Sequence, residues 1–378
     1  MKELAIFGST GSIGCSTLNV VRRHRDRFAV SILTAGRNLQ RLIEQIREFN
    51  PRHVYIIEEK DAAVLRELFP GLDIYRGEDG MDKVSRLTDF DIGVSALVGV
   101  AGLRPTWNMI NNGKTVALAN KEVLVVGGRL VMEAARKQGA ALLTVDSEHS
   151  AIMQCLRGEN HGEIERILLT ASGGPFFDRE ITDGITPEEA LRHPTWKMGP
   201  KITIDSATMM NKGFEIIEAR WLFDVPVERV QVVIHRQSIV HSMVEFKDGS
   251  IMANIAPPDM ELPIAYALSY PERMEMPQRL DIFAMKALEF KAPDEEKFPC
   301  LRLAKEAARA GHGAQVVLNA ANEALVARFL AGGLRFTDIP RGVEMLRQHT
   351  PGEPGSIDEV LALDEETRHR TEEWMKTR

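Results

Sequence analysis

The fold is decided by the stretch LAIFGSTGSIG, residues 4–14. Its apolar first half predicts a buried strand, and the glycines at positions 8, 11 and 14 predict a tight turn that opens a helix. Glycine lets the backbone approach a phosphate group closely, and the free N–H groups at the start of a helix stabilise an anion. This order favours a dinucleotide site, although a glycine-rich turn without a ligand can have the same letters.

The end of the next strand indicates which dinucleotide to expect. About 20 residues past the last glycine, an NAD enzyme places an acidic side chain on the ribose hydroxyls. This chain has Gly36-Arg37-Asn38 there. A guanidinium pairs with a 2′-phosphate where a carboxylate would repel it, so the sequence favours NADP over NAD. The alternative is that Arg37 is a solvated residue at the start of a helix.

Outward from this loop, residues 1–146 alternate between short apolar runs and helix-length amphipathic stretches. Apolar residues recur at helical spacing from 39 to 49, and Pro51 ends that helix. Apolar strands separated by helices predict a Rossmann-like, doubly wound α/β domain whose parallel sheet is covered on both faces. The strand candidates are the runs 4–8, 28–36, 53–57, 92–97, 115–119 and 141–146.

After residue 150, more closely spaced strand candidates predict a central α+β catalytic domain, and Asp248-Gly249 predicts a hairpin turn within it. Helical patterns dominate from residue 301 and predict a C-terminal helical bundle. The expected domains are therefore 1–146, 147–290 and 291–378. The strand candidates of the central part are 165–171, 201–205, 229–235, 239–246 and 250–255.

Composition excludes several classes of protein. The 378 residues carry a net charge of −7 without a long basic run, so nucleic acid is not an expected partner. The longest uncharged apolar run, 92–103, is shorter than the roughly 18 to 20 residues that span a bilayer. Three widely separated cysteines form no C-x-x-C pair, which predicts neither a disulfide framework nor a thiolate zinc site. We expect a cytoplasmic protein without a membrane or export segment.

Two carboxylates follow the strand candidate that ends the first domain. Asp146-Ser147-Glu148 would place both carboxylates on one face if the strand geometry continued. Two anions held that close repel each other, and Mg²⁺ or Mn²⁺ with oxygen ligands would neutralise them. The alternative is a solvated strand end without a metal.

A third carboxylate lies in DSATMMNKGFE, residues 205–215. Asp205 or Ser206 is expected to cap a helix that carries Asn211, Lys212 and Glu215 on one side. Acid, amide and amine would then converge, unless Lys212 and Glu215 form an exposed surface pair.

Three further segments are candidates for ligand binding. Ser172-Gly173-Gly174 suits an anion nest or a plain turn. The loop HPTWKMG, residues 193–199, carries Trp196, which could close over a ligand or pack as an anchor. Asn120-Lys121-Glu122 ends a strand where α/β sheets place ligands, although it could also cap a helix.

The motifs GSTGSIG, AGRN, LANKE, DSEHSA, SGGPF, HPTWKMG, DSATMMNKGFE and LNAANE, in this order, closely resemble the 1-deoxy-D-xylulose 5-phosphate reductoisomerase family. The resemblance runs from residue 4 into the C-terminal helices. It implies an NADPH-binding domain, a catalytic domain and a helical bundle, assembled as a homodimer. It also implies a sugar phosphate substrate and a divalent cation, Mg²⁺ or Mn²⁺, with Co²⁺ as a further option.

The resemblance assigns site residues by matching position. The implied NADPH contacts are Thr10, Gly11, Ser12, Ile13, Gly36, Arg37, Asn38, Asn120, Glu122 and Gly199. The implied metal ligands are Asp146, Glu148 and Glu215. The implied substrate contacts are Lys121, Ser147, Glu148, Ser172, His193, Trp196, Ser206, Asn211, Lys212 and Glu215. The expected catalytic residues are Lys121, Glu148, His193 and Glu215.

The implied reaction has two stages in one site. A metal-assisted rearrangement of 1-deoxy-D-xylulose 5-phosphate, by retro-aldol cleavage and re-addition, gives a branched aldehyde. NADPH then reduces that aldehyde to 2-C-methyl-D-erythritol 4-phosphate, an isoprenoid precursor of the non-mevalonate pathway. The chain departs from the family pattern at Arg37, in a short stretch at 157–163, and at Arg236, where proline is common. Arg37 keeps the positive charge of the lysine found in relatives, and neither of the other two departures is expected to contact a proposed ligand.

Two other functions compete with this one. The first is an NADP-dependent reductase of similar build, such as a semialdehyde dehydrogenase, which would need a cysteine nucleophile. Cys155 in IMQCL has the pattern of an apolar helix residue and fits that role poorly. The second is a dinucleotide-sensing regulator, which would need a surface for nucleic acid or a partner.

Overall fold

A computed structural model describes residues 1–348 and 352–377. The chain forms two compact units, each built from discontinuous segments. Unit 1 comprises Met1–Val123, Val131–Ser150 and Asp259–Pro277, and unit 2 comprises Leu124–Leu130, Ala151–Pro258 and Gln278–Arg378.

The strands are β1 (Lys2–Phe7), β2 (Phe28–Thr34), β3 (His53–Ile56), β4 (Asp73–Arg76), β5 (Ile92–Ser95), β6 (Thr115–Leu118), β7 (Leu142–Thr144), β8 (Ile164–Ala171), β9 (Val230–Ile234), β10 (Val240–Phe246) and β11 (Ile251–Ile255). The helices are α1 (Ser12–Arg23), α2 (Leu39–Phe49), α3 (Glu59–Leu68), α4 (Gly77–Ser85), α5 (Leu103–Asn111), α6 (Glu122–Gln138), α7 (Ser147–Cys155), α8 (Pro187–Ala190), α9 (Pro200–Ala207), α10 (Met210–Phe223), α11 (Glu261–Ser269), α12 (Pro299–Ala310), α13 (His312–Leu330), α14 (Asp338–Arg347) and α15 (Ile357–Met375).

Unit 1 is built on a parallel seven-stranded sheet in the order β4-β3-β2-β1-β5-β6-β7. The chain extends the sheet to one side of β1 with β2 to β4 and then to the other side with β5 to β7. The strand order therefore reverses between β1 and β5, which is where open α/β sheets bind ligands beyond the carboxyl ends of their strands. This sheet confirms the predicted doubly wound α/β fold.

The central strands are buried because their side chains are apolar on both faces. Leu4, Ala5, Ile6 and Phe7 of β1 are completely buried, as a sheet covered on both sides requires. The sequence prediction missed β4, an edge strand with partly exposed polar residues and no continuous apolar run.

Unit 2 contains a four-stranded mixed sheet in the order β11-β10-β8-β9. β10 and β11 form the predicted antiparallel hairpin, and Gly249 in its turn has a φ of +85°. β8 and β9 are parallel, so this pair is not joined through a hairpin.

The predicted strand at 201–205 is wrong, because these residues lie in α9. Pro200 occupies the first turn of the helix, and the Thr203 hydroxyl donates to the Gly199 carbonyl at 2.8 Å. Lys201 and Asp205 also form an ion pair one helical turn apart, with 2.7 Å between Nζ and Oδ2. These local interactions outweigh the strand propensity of the β-branched residues.

The C-terminal part of unit 2 consists of α12 to α15, as the helical patterns predicted. Within the described ranges, no helix is long and apolar enough to cross a membrane.

Candidate functional site

The glycines of the first loop meet a steric requirement. Gly8, directly after β1, has a φ of +94°, and a Cβ there would lie 2.6 Å from the Ala96 carbonyl oxygen. A Cβ at Gly14 would lie 2.4 Å from the Gly8 carbonyl oxygen. Both positions therefore need glycine, and the loop packs tightly between β1 and the first turn of α1.

The start of α1 is open to an anion. Gly11 is the N-cap of α1, and its lack of a side chain leaves the first-turn N–H groups without a side-chain cap. Thr10, Gly11, Ser12 and Ile13 lie at this turn, at the carboxyl edge of the sheet. The helix dipole adds positive potential at the same point.

Two α2 residues that sequence reasoning missed hold this loop. Gln45 Nε2 donates to the Ser9 carbonyl at 2.9 Å, and Ser9 Oγ donates to Gln45 Oε1 at 2.7 Å. Arg41 Nη1 donates to the Thr10 carbonyl at 3.1 Å. Arg41 follows Arg37 by four residues, a spacing that would place both on one side of a helix. The helical spacing alone does not show that Arg41 lies beside the glycine loop.

The segment Gly36-Arg37-Asn38 links β2 to α2. Asn38 is the N-cap of α2, and its Oδ1 accepts a hydrogen bond from the Arg41 backbone N–H at 3.1 Å. Arg37 is exposed just before this helix. This exposure is compatible with both interpretations of Arg37, a contact to a 2′-phosphate and a solvated residue at the start of a helix.

Asn120 uses its amide group within the protein. Its Nδ2 donates to the carbonyls of Leu97 and Gly99 at 2.6 and 2.9 Å, and its Oδ1 accepts from Val123 N–H at 3.0 Å. The helix-cap alternative thus describes the Asn120 side chain. Glu122, the first residue of α6, is buried.

A buried ion pair lies at the carboxyl end of β6 and β7. Lys121 Nζ is 2.6 Å from Asp146 Oδ2, and the two side chains are 7% and 9% exposed. Burial alone would raise the pKa of the Asp146 carboxyl, but the Lys121 ammonium and the His149 imidazole hold it well below its usual range. Asp146 is therefore a carboxylate at neutral pH.

Asp146 and Glu148 are close together, but not for the reason the sequence suggested. β7 ends at Thr144 and α7 begins at Ser147, so the strand geometry does not continue through this segment. One carboxylate oxygen of Asp146 lies within 4.8 Å of one of Glu148. Glu148 also accepts a hydrogen bond from Ser147 Oγ at 2.5 Å. Two ionisable oxygen donors at this spacing fit a hard divalent cation.

In unit 2, Glu215 is the centre of a buried polar cluster on α10. Asn211 Nδ2 donates to Glu215 Oε1 at 2.6 Å, and Lys212 Nζ donates to Glu215 Oε2. The Lys212 and Glu215 side chains are 4% and 1% exposed. The predicted convergence on one helix side is confirmed, and the surface-pair alternative is wrong.

The predicted cap of this helix is wrong. Asp205 and Ser206 lie inside α9, and the chain turns at Met209, which has a φ of +62° and is the N-cap of α10. The two short helices are therefore separate, with the break between Ala207 and Met210.

Ser172, directly after β8, starts a loop that packs against Ser206. Gly173 and Gly174 have φ values of +78° and +66°, and a Cβ on Gly174 would lie 2.7 Å from the Ser206 carbonyl oxygen. The glycines thus permit the close approach of two segments that carry predicted substrate contacts.

His193 is held in one tautomer. Its Nδ1 accepts hydrogen bonds from the backbone N–H groups of Thr195 and Trp196 at 3.1 and 2.8 Å. Burial, with a smaller effect of the Arg236 charge, lowers the pKa of His193 to about 4. The neutral ring therefore carries its proton on Nε2, which lies 2.9 Å from Ser172 Oγ and donates to it.

Further along the loop 193–199, Trp196 lies near a second histidine. The half-buried Trp196 ring lies 6.3 Å from the His241 ring, measured between centroids. Gly199 is the N-cap of α9 and is exposed.

Cys155 and Cys300 do not support a thiolate nucleophile. Burial raises the pKa of Cys155 to about 11 and that of Cys300 to about 12. Both thiols are protonated at neutral pH, which disfavours the semialdehyde dehydrogenase alternative.

Comparison with known proteins places this chain in a family. Residues 4–128 match the family model of 1-deoxy-D-xylulose 5-phosphate reductoisomerase. Residues 142–223 and 255–370 match two models of DXP reductoisomerase C-terminal domains. A 1-deoxy-D-xylulose 5-phosphate reductoisomerase from Prosthecochloris aestuarii is 53% identical over 370 residues, which cover 96% of this chain and 97% of the relative.

The chain belongs to the 1-deoxy-D-xylulose 5-phosphate reductoisomerase family. Membership confirms the predicted family and the predicted enzyme class, a reductoisomerase. A second reductoisomerase of the family, from Chlorobium phaeobacteroides, is 51% identical over 96% of this chain and 97% of its own length.

Solved reductoisomerase structures share the fold over the whole chain. A crystal structure of DOX-P reductoisomerase in complex with NADPH, fosmidomycin and magnesium has a TM-score of 0.95 at 40% identity, covering 100% of this chain and 98% of that one. The Zymomonas mobilis reductoisomerase in complex with NADPH has a TM-score of 0.92 at 43% identity, covering 100% of both chains.

Proposed function

We propose that this chain converts 1-deoxy-D-xylulose 5-phosphate to 2-C-methyl-D-erythritol 4-phosphate with NADPH and a divalent cation. Family membership supports the reaction. Complexes of similar reductoisomerases with NADPH and magnesium support the two cofactors. Mg²⁺ and Mn²⁺ are both proposed to serve, with Co²⁺ as a further option.

The observation that carries the proposal is the buried Asp146, which Lys121 keeps ionised at the carboxyl edge of the parallel sheet. The glycine loop after β1 lies at this same edge. A nucleotide loop and a cation-binding carboxylate on one sheet edge suit a reduction that also needs a Lewis acid.

The proposed metal ligands are Asp146, Glu148 and, from the family resemblance, Glu215. Their carboxylate oxygens are the donors that Mg²⁺ and Mn²⁺ prefer. When bound, such an ion supplies Lewis-acid polarisation of the substrate oxygens. Ser147 orients one Glu148 oxygen through its hydroxyl, and Asn211 orients one Glu215 oxygen through its amide.

We propose that Ser172, Ser206, Asn211 and Lys212 hold the substrate phosphate. The buried Lys212 ammonium supplies a positive charge, and the serine hydroxyls supply donors. His193 and Trp196 lie on the loop 193–199, which would close over the substrate and exclude water. Lys121, Ser147, Glu148 and Glu215 complete the proposed substrate contacts.

The proposed catalytic residues are Lys121, Glu148, His193 and Glu215. Lys121 keeps Asp146 ionised and offers an ammonium donor at the sheet edge. His193 cannot act as a cation near neutral pH, because its pKa is about 4. It orients the Ser172 hydroxyl instead.

NADPH is proposed to bind along the carboxyl edge of the unit 1 sheet, where it supplies a hydride when bound. The first-turn N–H groups of α1 would bind its pyrophosphate, and Arg37 its 2′-phosphate. The proposed contacts are Thr10, Gly11, Ser12, Ile13, Gly36, Arg37, Asn38, Asn120, Glu122 and Gly199. Asn120 would contribute through its backbone, since its side chain is occupied.

The division into domains 1–146, 147–290 and 291–378 stays a proposal, as do the homodimer and the cytoplasmic location. A sugar phosphate is the proposed substrate class.

The test follows NADPH absorbance with the purified protein, 1-deoxy-D-xylulose 5-phosphate and Mg²⁺ or Mn²⁺, with and without a chelator. Substrate-dependent oxidation that the chelator abolishes supports the proposal. Absence of oxidation, or oxidation that ignores the chelator, would overturn it.

A further inference from the structure

Arg236 binds the loop that carries Ser172. It follows β9 by two residues, and its Nη1 donates to the carbonyl oxygens of Ser172 and Gly174 at 2.8 and 2.6 Å. One guanidinium thus joins the first and last residues of the Ser172-Gly173-Gly174 turn. Arg236 departs from the family pattern and contacts the loop of a proposed substrate residue, a contact not expected from the sequence.

This contact fixes the direction of the backbone groups in the turn. The Ser172 carbonyl points at Arg236, and in a trans peptide the next N–H, that of Gly173, points the opposite way. The Arg236 guanidinium therefore binds the carbonyl oxygens of the turn, which would otherwise repel an anion. The Gly173 N–H, a hydrogen-bond donor, points away from the guanidinium.

The same arrangement fixes the Ser172 hydroxyl. Its oxygen accepts hydrogen bonds from Gly174 N–H at 3.2 Å and from His193 Nε2 at 2.9 Å. A hydroxyl has two acceptor sites and one donor, so its hydrogen is left to donate to a third group. Arg236 binds the first and last residues of the turn that positions this hydroxyl.

The Arg236 guanidinium itself contacts an aromatic ring and a carboxylate. It lies 5.8 Å from the centre of the Phe177 ring, and Nη2 is 3.4 Å from Asp178 Oδ2. The side chain is 31% exposed. The Asp178 carboxylate is the more exposed partner, so solvent weakens its neutralising effect on Arg236.

We propose that Arg236 is a positioning residue for the phosphate end of the substrate. It turns the donor groups of the Ser172-Gly173-Gly174 loop toward the phosphate and adds a positive charge behind them. The inference rests on the proposed function, which places the phosphate at Ser172.

The test measures KM for 1-deoxy-D-xylulose 5-phosphate, KM for NADPH, kcat and the competitive inhibition constant of inorganic phosphate. In Arg236→Gln we expect the substrate KM and the phosphate inhibition constant to rise together by about tenfold. The KM for NADPH stays at the wild-type value, and kcat changes less than the substrate KM does. A purely structural arginine would lower the melting temperature without this selective loss of phosphate affinity.

Arg229→Gln is the matched control. Arg229 also donates to a backbone carbonyl, that of Ile164 at 3.3 Å, but at the opposite end of β9. Arg229→Gln should leave the substrate KM and the phosphate inhibition constant unchanged. Arg236→Lys, which keeps the charge with fewer donors, covers the case in which Arg236→Gln does not fold, and it should raise both constants by about threefold.

Unchanged constants in a folded Arg236→Gln or Arg236→Lys protein would overturn the inference while the proposed function stands. A wild-type protein that does not oxidise NADPH with the substrate would overturn the proposed function itself.

Discussion

Lys121 Nζ lies 2.6 Å from Asp146 Oδ2, and both side chains are almost completely buried. Each member of this pair lies just beyond the carboxyl end of a strand, Lys121 after β6 and Asp146 after β7. Because the two strands are parallel neighbours, their ends meet at one edge of the sheet. The sheet topology therefore creates the pair from residues 25 positions apart in sequence.

Removing the lysine leaves a buried carboxylate without its cation. We expect Lys121→Met to lower the free energy of unfolding by about 3 kcal/mol, as for other buried pairs that lose one partner. Added Mg²⁺ should restore part of this loss, because a cation beside Asp146 replaces the missing charge. Chemical denaturation with and without Mg²⁺ measures both effects.

Lys114→Met is the control for this experiment. Lys114 Nζ donates to the carbonyls of Thr88 and Phe90 at 2.6 and 2.7 Å, so its loss also removes hydrogen bonds made by a lysine. It should destabilise the protein without rescue by Mg²⁺. An equal Mg²⁺ effect in both variants would contradict the role of Lys121 as the counter-charge of Asp146.

Glu215→Gln tests the third proposed metal ligand. Glutamine keeps the size of the side chain and can still accept a hydrogen bond from Asn211, but it removes the charge. We expect turnover to fall by at least about 100-fold, while NADPH affinity, measured by fluorescence titration, is unchanged. Glu245→Gln, which breaks the ion pair between Glu245 on β10 and Arg166 on β8, should keep wild-type turnover. Near-normal turnover of Glu215→Gln would show that Glu215 is no ligand.

The cofactor preference depends on the arginines around α2. Arg37→Ala should raise KM for NADPH by about tenfold and leave KM for NADH unchanged, because only NADPH carries the 2′-phosphate. Arg41→Ala should raise both values, since Arg41 holds the Thr10 carbonyl in the loop shared by both nucleotides. Arg47→Ala, an exposed change on α2, is the control. An unaltered preference in Arg37→Ala would defeat the 2′-phosphate argument.

His193 gives a prediction about pH. Its folded-state pKa is about 4, below the ordinary value of 6.5, so the folded protein binds fewer protons at this site than the unfolded chain between these values. The contribution of His193 to stability is therefore complete above pH 6.5 and is lost as the pH falls toward 4. The difference in melting temperature between the wild type and His193→Gln should shrink over this range.

An NMR titration of the imidazole nitrogens checks the same prediction directly. The His193 signals, assigned by their absence in His193→Gln, should report a neutral ring with the proton on Nε2 from pH 7 down to pH 5. Titration near the ordinary value, or a proton on Nδ1, would contradict the hydrogen bonds that Thr195 and Trp196 donate to Nδ1.

The features that could be predicted from the sequence depend on short-range constraints. Gly8 is required by its φ of +94° and Gly14 by its close approach to the Gly8 carbonyl, so their spacing is visible in the letters. Asn211, Lys212 and Glu215 share a helix side because three- and four-residue spacings always do. Such local rules identified most strands of unit 1 and the polar cluster on α10.

The sequence could not show the contacts that depend on long-range packing. Ser172 meets His193 across 21 residues and Arg236 across 64, and no periodicity links these positions. The sequence pattern missed the helical start at Ser147 and the helix over the segment 201–205. In the second case Pro200 in the first turn and the Lys201–Asp205 ion pair outweigh the strand propensity of the β-branched residues. Arg236 shows that a departure from a family pattern can lie beside the site.

A hydrogen bond from Asn322 on α13 indicates that the C-terminal helices stabilise α9. Its Nδ2 donates to Asp205 Oδ1 at 2.7 Å, and Asp205 pairs with Lys201 on the same helix. Asn322→Leu should lower the free energy of unfolding by about 1–3 kcal/mol, because a buried carboxylate oxygen loses its donor. Asn319→Leu on the same helix breaks a bond to the partly exposed Glu323, so urea denaturation should show a smaller loss. Equal losses in the two variants would mean that the volume of the introduced leucine, and not the lost hydrogen bond to Asp205, determines the loss in free energy of unfolding.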